Sequence, residues 1–228
     1  MSPRGNAPLA SPTHTVVLLL ILSGVAVLTY FSMDRMRMAE HPHRVRLYVA
    51  TIVWEWLLMA YVLLGVRRHH TSLQEVTGAR WRTAKEFFRD LGTALAFWIG
   101  ALFILALVGH LLHFQANVRY LAPEGAAEIA LWIAVSVTSG ICEEGIFRGY
   151  LQKQFTAWSG NETAGLLLSA AAFGAGHAYQ GAKATVLLGA FGLMFGLLAQ
   201  QRKSLRPGMI THALHDTAAG LVVRLLPK

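Results

Sequence analysis

Leu91-Gly92-Thr93-Ala94-Leu95-Ala96-Phe97-Trp98-Ile99-Gly100-Ala101-Leu102-Phe103-Ile104-Leu105-Ala106-Leu107-Val108-Gly109-His110-Leu111-Leu112 contains no Asp, Glu, Lys or Arg. A helix needs about 20 apolar residues to cross a hydrocarbon layer of roughly 30 Å, so this stretch reads as a membrane crossing. Open strands cannot span lipid, because their unpaired backbone groups would find no water there. Similar runs recur outward from it, at 15–32, 47–66, 126–142, 163–178, 184–200 and 207–226. The fold expected is therefore all-α, a polytopic transmembrane bundle of about seven helices. Composition agrees: 54% of the 228 residues are hydrophobic and 14% charged, against about 25% charged in an average soluble domain. Seven helices of about 20 residues consume most of such a chain and leave no room for a large soluble domain.

The first run, from Thr15 to Phe31, ends in Leu28-Thr29-Tyr30-Phe31 without a small-x-small cleavage site, and it reads as a retained helix. Residues 1–14 contain Pro, Ser and Gly and are expected to be disordered. The most polar connection is 67–90, whose last part, about 78–90, reads as an amphipathic helix in the interface. Twelve of the 20 Lys and Arg residues fall on the side that holds the N-terminus and the loops 67–90, 143–162 and 201–206. That bias puts the N-terminus on the cytoplasmic side. The expected location is an integral, multi-pass position in the cytoplasmic (inner) membrane of a prokaryote. The formal net charge is +8, but the charges flank apolar runs rather than forming a basic tract, so the expected partners include the bilayer and no nucleic acid. Cys142 is the only cysteine, which excludes an intrachain disulfide and a cysteine-based zinc cluster. Trp54, Trp56, Trp98, Trp132 and Trp158 read as interfacial anchors or packing groups.

Ionisable side chains inside membrane segments are costly and default to function. Three groups stand late in the chain. Glu143-Glu144-Gly145-Ile146-Phe147-Arg148 follows an apolar run; on a helix Glu144 and Arg148 share a face at i, i+4, while Glu143 points about 100° away. One carboxylate is thereby neutralised and its neighbour left available as a base. Phe173-Gly174-Ala175-Gly176-His177 ends a second run. His212-Ala213-Leu214-His215-Asp216 lies within a third, with His212 and Asp216 on one face and Pro207 fixing the first turn. A carboxylate beside a histidine in a partly dehydrated cavity is a plausible general base for water.

The three groups together, EExxxR, FxxxH and HxxxD in that order on membrane helices, resemble the CAAX-protease and bacteriocin-processing family of glutamate-type intramembrane proteases. The resemblance covers about residues 128–220, within a core at 126–228; the helices of 15–125 contribute hydrophobicity only. It implies a peptide-bond hydrolase in which Glu143 and His177 activate water, His212 and Asp216 stabilise the oxyanion, and Glu144 and Arg148 hold the site together. Position 216 is Asp where the prenyl-protein branch commonly has Asn. An ionised Asp cannot donate to an oxyanion, so Asp216 either stays protonated or orients His212. The partner implied is a membrane-associated protein or peptide: a lipidated C-terminus, a bacteriocin-type leader or a sorting helix.

No cofactor is the favoured reading. Zinc is the alternative, with Glu143, His177 and His212 as ligands and one open position, although no HExxH occurs. Ser139-Gly140 reads as packing. Glu55, between Trp54 and Trp56, reads as a structural buried acid or as part of a wet cavity. His110 and His113 read as interfacial, and His215 and Cys142 as packing residues. For the acids to meet the histidines, the helix carrying Glu143 must run on to about Phe155. Two further functions compete with the protease: a non-catalytic membrane scaffold or bacteriocin-immunity protein of the same fold, and a proton- or cation-coupled transporter.

Overall fold

The computed structural model describes residues 7–37, 43–114 and 119–225. Its main elements are α1 (Pro12–Arg37), α2 (Arg44–Arg68), a short α3 (Gln74–Thr77), α4 (Ala84–Leu111), α5 (Gly125–Glu143), a π-helical segment (Glu144–Leu151), α6 (Gln152–Ser159), α7 (Glu162–Gly176), α8 (Ala182–Arg202) and α9 (Arg206–Leu225). The protein is all-helical over the described residues. Each of the seven apolar runs coincides with one of the longer helices, with 91–112 and 163–178 running one and two residues past the ends of α4 and α7. α5, the π segment and α6 form one continuous rod of 35 residues, about 52 Å long at 1.5 Å per residue. That is the long helix the motif positions demand. Among the described residues, α1, α2, α4, the rod and α8 are long and apolar enough to cross a membrane.

Successive long helices reverse direction, so the connections sort to two ends. At one end Lys153 pairs with Glu75, Arg206 with Glu86, and Gln200 Nε2 donates to Glu162 O. At the other, Arg44 pairs with Glu124 at 2.6 Å and Glu128 at 2.9 Å, and Tyr48 Oη donates to Leu121 O.

Two local expectations are corrected. Residues 78–90 are not a separate interfacial helix. Thr83 Oγ1 accepts from Glu86 N, Glu86 Oε2 accepts from Arg82 N, and this capping arrangement starts α4 at Ala84, which runs through Asp90 without a break. The disorder expected of 1–14 is also too extensive. Residues 1–6 lie outside the described residues, but Pro12 begins α1, and Gln154 clamps the preceding segment by accepting from Leu9 N and donating to Ala10 O.

The burial pattern is that of a bilayer protein. On α4 the large exposed side chains include Phe103, Leu107 and Leu111, whereas Asp90, Ala94 and Ala101 are buried. Glu55, Ser139, Glu144, Arg148, Gln152 and His212 are likewise interior. Apolar groups face outward and polar groups inward, as expected when lipid is the solvent. Two glycines let backbones meet. A Cβ on Gly140 would lie 2.7 Å from Met209 O and 2.9 Å from Ala213 N, and one on Gly174 would lie 2.6 Å from Thr185 O. The first seats α9 against α5, and the second seats α8 against α7.

Candidate active site

The rod supplies the acids at the point where its winding changes. All eight residues of the π segment are buried, including Glu144 and Arg148. Such wide turns are rare and recur at functional sites. Glu144 Oε1 lies 3.0 Å from Arg148 Nη1, with both side chains 1% exposed. Arg148 also donates from Nη2 to Gly192 O and lies 4.3 Å above the Phe173 ring. Its guanidinium is thus fixed by the rod, α7 and α8 together.

The imidazole comes from α9. His212 is buried, and its Nδ1 donates to Glu144 Oε1 at 3.0 Å. Its Nε2 lies 3.6 Å from Glu143 Oε2 and 3.6 Å from Asp216 Oδ2. These separations exceed hydrogen-bond length, so Nε2 is oriented but not consumed. Phe173, Phe191 and Phe195 wall the ring in, with centroids at 6.1, 5.6 and 5.5 Å. The Asp216 backbone is held too, since Trp132 Nε1 donates to its carbonyl at 2.9 Å.

His177 closes α7 as its C-terminal cap. Its Nδ1 donates to Phe173 O at 2.9 Å, a bond that only the protonated nitrogen can make to a carbonyl. Nε2 is left free to act, and the ring packs 4.7 Å from Phe173. Glu143, Glu144, Arg148, His212 and Asp216 therefore form one contiguous cluster, and His177 borders it within electrostatic reach of Asp216. All six are candidates named from the sequence, two pairs by helical spacing and the full set by the family resemblance. Among the described residues no group of three or more His, Cys, Asp and Glu side chains is arranged to hold a metal ion.

A further acid lies beside the cluster. Glu55 of α2 is buried and its Oε1 accepts from Ser139 Oγ at 2.8 Å, one turn before Glu143. The only sequence signal was a carboxyl inside an apolar run. Ser139 and Gly140 are explained by that bond and by the α9 contact. His215 packs on Phe191 at 4.9 Å, as expected of a packing residue.

Residues 125–218 match the model of a protein family described as type II CAAX prenyl endopeptidase, Rce1-like. The matched segment contains all three motif groups. No curated protein and no solved structure matches the chain.

Proposed function

We propose, from the match of residues 125–218 to the Rce1-like type II CAAX prenyl endopeptidase model, that the chain is a glutamate-type intramembrane endopeptidase acting on a membrane-anchored peptide. The observation that carries this reading is the space around His212 Nε2, bounded by Glu143 Oε2 and Asp216 Oδ2 at 3.6 Å each. A water or substrate oxygen entering there meets a donor on one side and a base on the other.

Glu143 is the carboxylate suited to be that base. Its Oε2 is buried without a hydrogen-bond partner, whereas Glu144 is committed to Arg148 and His212. Glu143, aided by His177, takes a proton from water, and the water oxygen attacks the scissile carbonyl. With both ring nitrogens protonated, His212 keeps its Nδ1 bond to Glu144 and presents Nε2–H to the developing oxyanion. Donors preorganised in this way are worth about 3–4 kcal/mol each in a water-poor site. Asp216 holds the His212 ring in place instead of donating. The scheme needs no resident metal. The family description supports a prenylated C-terminus as substrate, whereas Asp216, in place of the Asn common in the prenyl-protein branch, counts against that class. The Lys and Arg bias supports a cytoplasmic position for the end that carries the N-terminus.

The test is substrate processing in cells or proteoliposomes by wild type, Glu143→Ala, His177→Ala and His212→Ala, with folding verified. Loss in all three, unaffected by chelator in the wild type, is the expected result. Processing that persists in all three favours the non-catalytic scaffold.

A further inference from the structure

Glu55 occupies the interior of α2 at 7% exposure, which is a costly place for a carboxyl. Ser139 Oγ donates to Oε1 at 2.8 Å, while Oε2 is buried with no hydrogen-bond partner. None of the ion pairs among the described residues includes Glu55; Arg148 is held by Glu144, and His212 by Glu143, Glu144 and Asp216. Even so, Glu55 lies within electrostatic reach of Glu143, His212 and Asp216. Ser139 and Glu143 stand one turn apart on the rod, so the acid of α2 and the base of the rod meet along one face.

A buried carboxyl with no cation is cheapest as the neutral acid. A neutral acid has one carbonyl oxygen, which accepts, and one hydroxyl, which donates. Ser139 uses the accepting oxygen, Oε1, and the proton is left on the unpartnered Oε2. We propose that Glu55 is a further catalytic residue of this site, the general acid that protonates the departing amine. The role rests on the endopeptidase reading above. That reading assigns a base to the water and no separate donor to the amine, and an amine cannot leave as an anion.

The steps balance. Water gives a proton to Glu143 and its oxygen bonds to the scissile carbon. The carbon–nitrogen bond then breaks as the Glu55 Oε2 proton moves to the nitrogen, releasing a neutral amine and a new carboxyl end. Glu143 now holds one proton and Glu55 lacks one. Transfer between the two through water restores both as the products leave.

The experiment uses the full-length protein in proteoliposomes with two probes. One is an isoprenylated peptide ending in the CAAX pattern, and the other is the same peptide with a thioester at the scissile position. A thiolate departs near neutral pH without being protonated. Glu55→Gln is close to isosteric and keeps the Ser139 bond, so its fold can be verified by thermal unfolding. The expected result is a loss of about 100-fold or more on the amide, with thioester cleavage at the wild-type rate, while Glu143→Gln loses both. Amide cleavage at the wild-type rate in Glu55→Gln overturns the proposal, and so does a parallel loss on both probes, which marks a positioning role. Amide cleavage retained by Glu143→Gln, or no cleavage of either probe by the wild type, counts against the endopeptidase reading itself.

Discussion

Glu144 Oε1 lies 3.0 Å from His212 Nδ1, and the same oxygen lies 3.0 Å from Arg148 Nη1. One atom therefore ties the winding of the rod to the orientation of the imidazole on α9. Structure and chemistry are coupled at Glu144, although it does not face the space where water would react.

That coupling separates stability from activity. Glu144→Ala strands the buried Arg148, and breaking a buried pair on one side costs about 3–5 kcal/mol. Replacing both partners, Glu144→Leu with Arg148→Met, removes the stranded charge. The double variant is expected to regain most of the thermal stability in detergent while processing stays absent, because His212 Nδ1 has lost its acceptor. A double variant no more stable than Glu144→Ala would show that the pair is not coupled in this way.

A second prediction concerns the approach of α9 to the rod. Gly140→Ala puts a methyl against Met209 O and Ala213 N at 2.7 and 2.9 Å, and those are backbone atoms that cannot swing aside. Overpacking of this kind costs about 1–3 kcal/mol, and the shift carries His212 away from Glu143 and Glu144. Gly100→Ala, with nothing within 4 Å of its new methyl, is the control. Thermal unfolding and processing should both fall in the first variant and stay unchanged in the second.

Much of this site was legible because its relationships are local. Glu144 with Arg148, and His212 with Asp216, are i, i+4 pairs, and helical geometry alone makes each pair neighbours. The seven apolar runs were legible for a similar reason, since bilayer thickness fixes their length. The contact that Glu55 makes was not legible beyond its reading as a buried acid or part of a wet cavity. Its partner Ser139 lies 84 residues away, and no pattern within α2 says which neighbour its face will meet. The π segment was hidden too, because a wide turn leaves no signature in Glu144–Leu151 that an ordinary helix would lack. The misread start of α4 has a similar cause. Asp90 looked like an interfacial charge because two of its three cations, Arg202 and Arg206, lie on α8 and α9, far along the chain.

Asp216 gives a third prediction. Its Oδ2 faces His212 Nε2, and its carbonyl is fixed by Trp132. If it acts by orienting the ring, an amide of the same shape will serve, and it adds a donor of its own. Asp216→Asn should retain processing to within about tenfold. Asp216→Leu should lose roughly 100-fold, the scale of removing one element of oxyanion stabilisation. Rates on one substrate, with both variants matched for folding, decide the matter. Equal losses in the two would mean that the negative charge itself is required.

The start of α9 gives the last prediction. Asp90 is 1% exposed and gathers Arg206 Nε at 2.8 Å, Arg89 at 3.4 Å, Arg202 at 3.8 Å and a hydrogen bond from Trp81 Nε1 at 3.0 Å. Arg206 is the first residue of α9, less than two turns before His212. The cluster therefore fixes where α9 begins and, through that, the depth of the imidazole. Arg206→Ala removes the nearest cation but leaves Arg89 and Arg202, so the expected loss is about 1.5–3 kcal/mol, the scale of one hydrogen bond to a charged group. Arg206→Lys should recover only part of it, because an ammonium cannot copy the planar fork of the guanidinium. Processing should fall in the same order as thermal stability, alanine below lysine below wild type. If both variants melt as the wild type does and still process slowly, Arg206 acts on the substrate and not on the seating of α9.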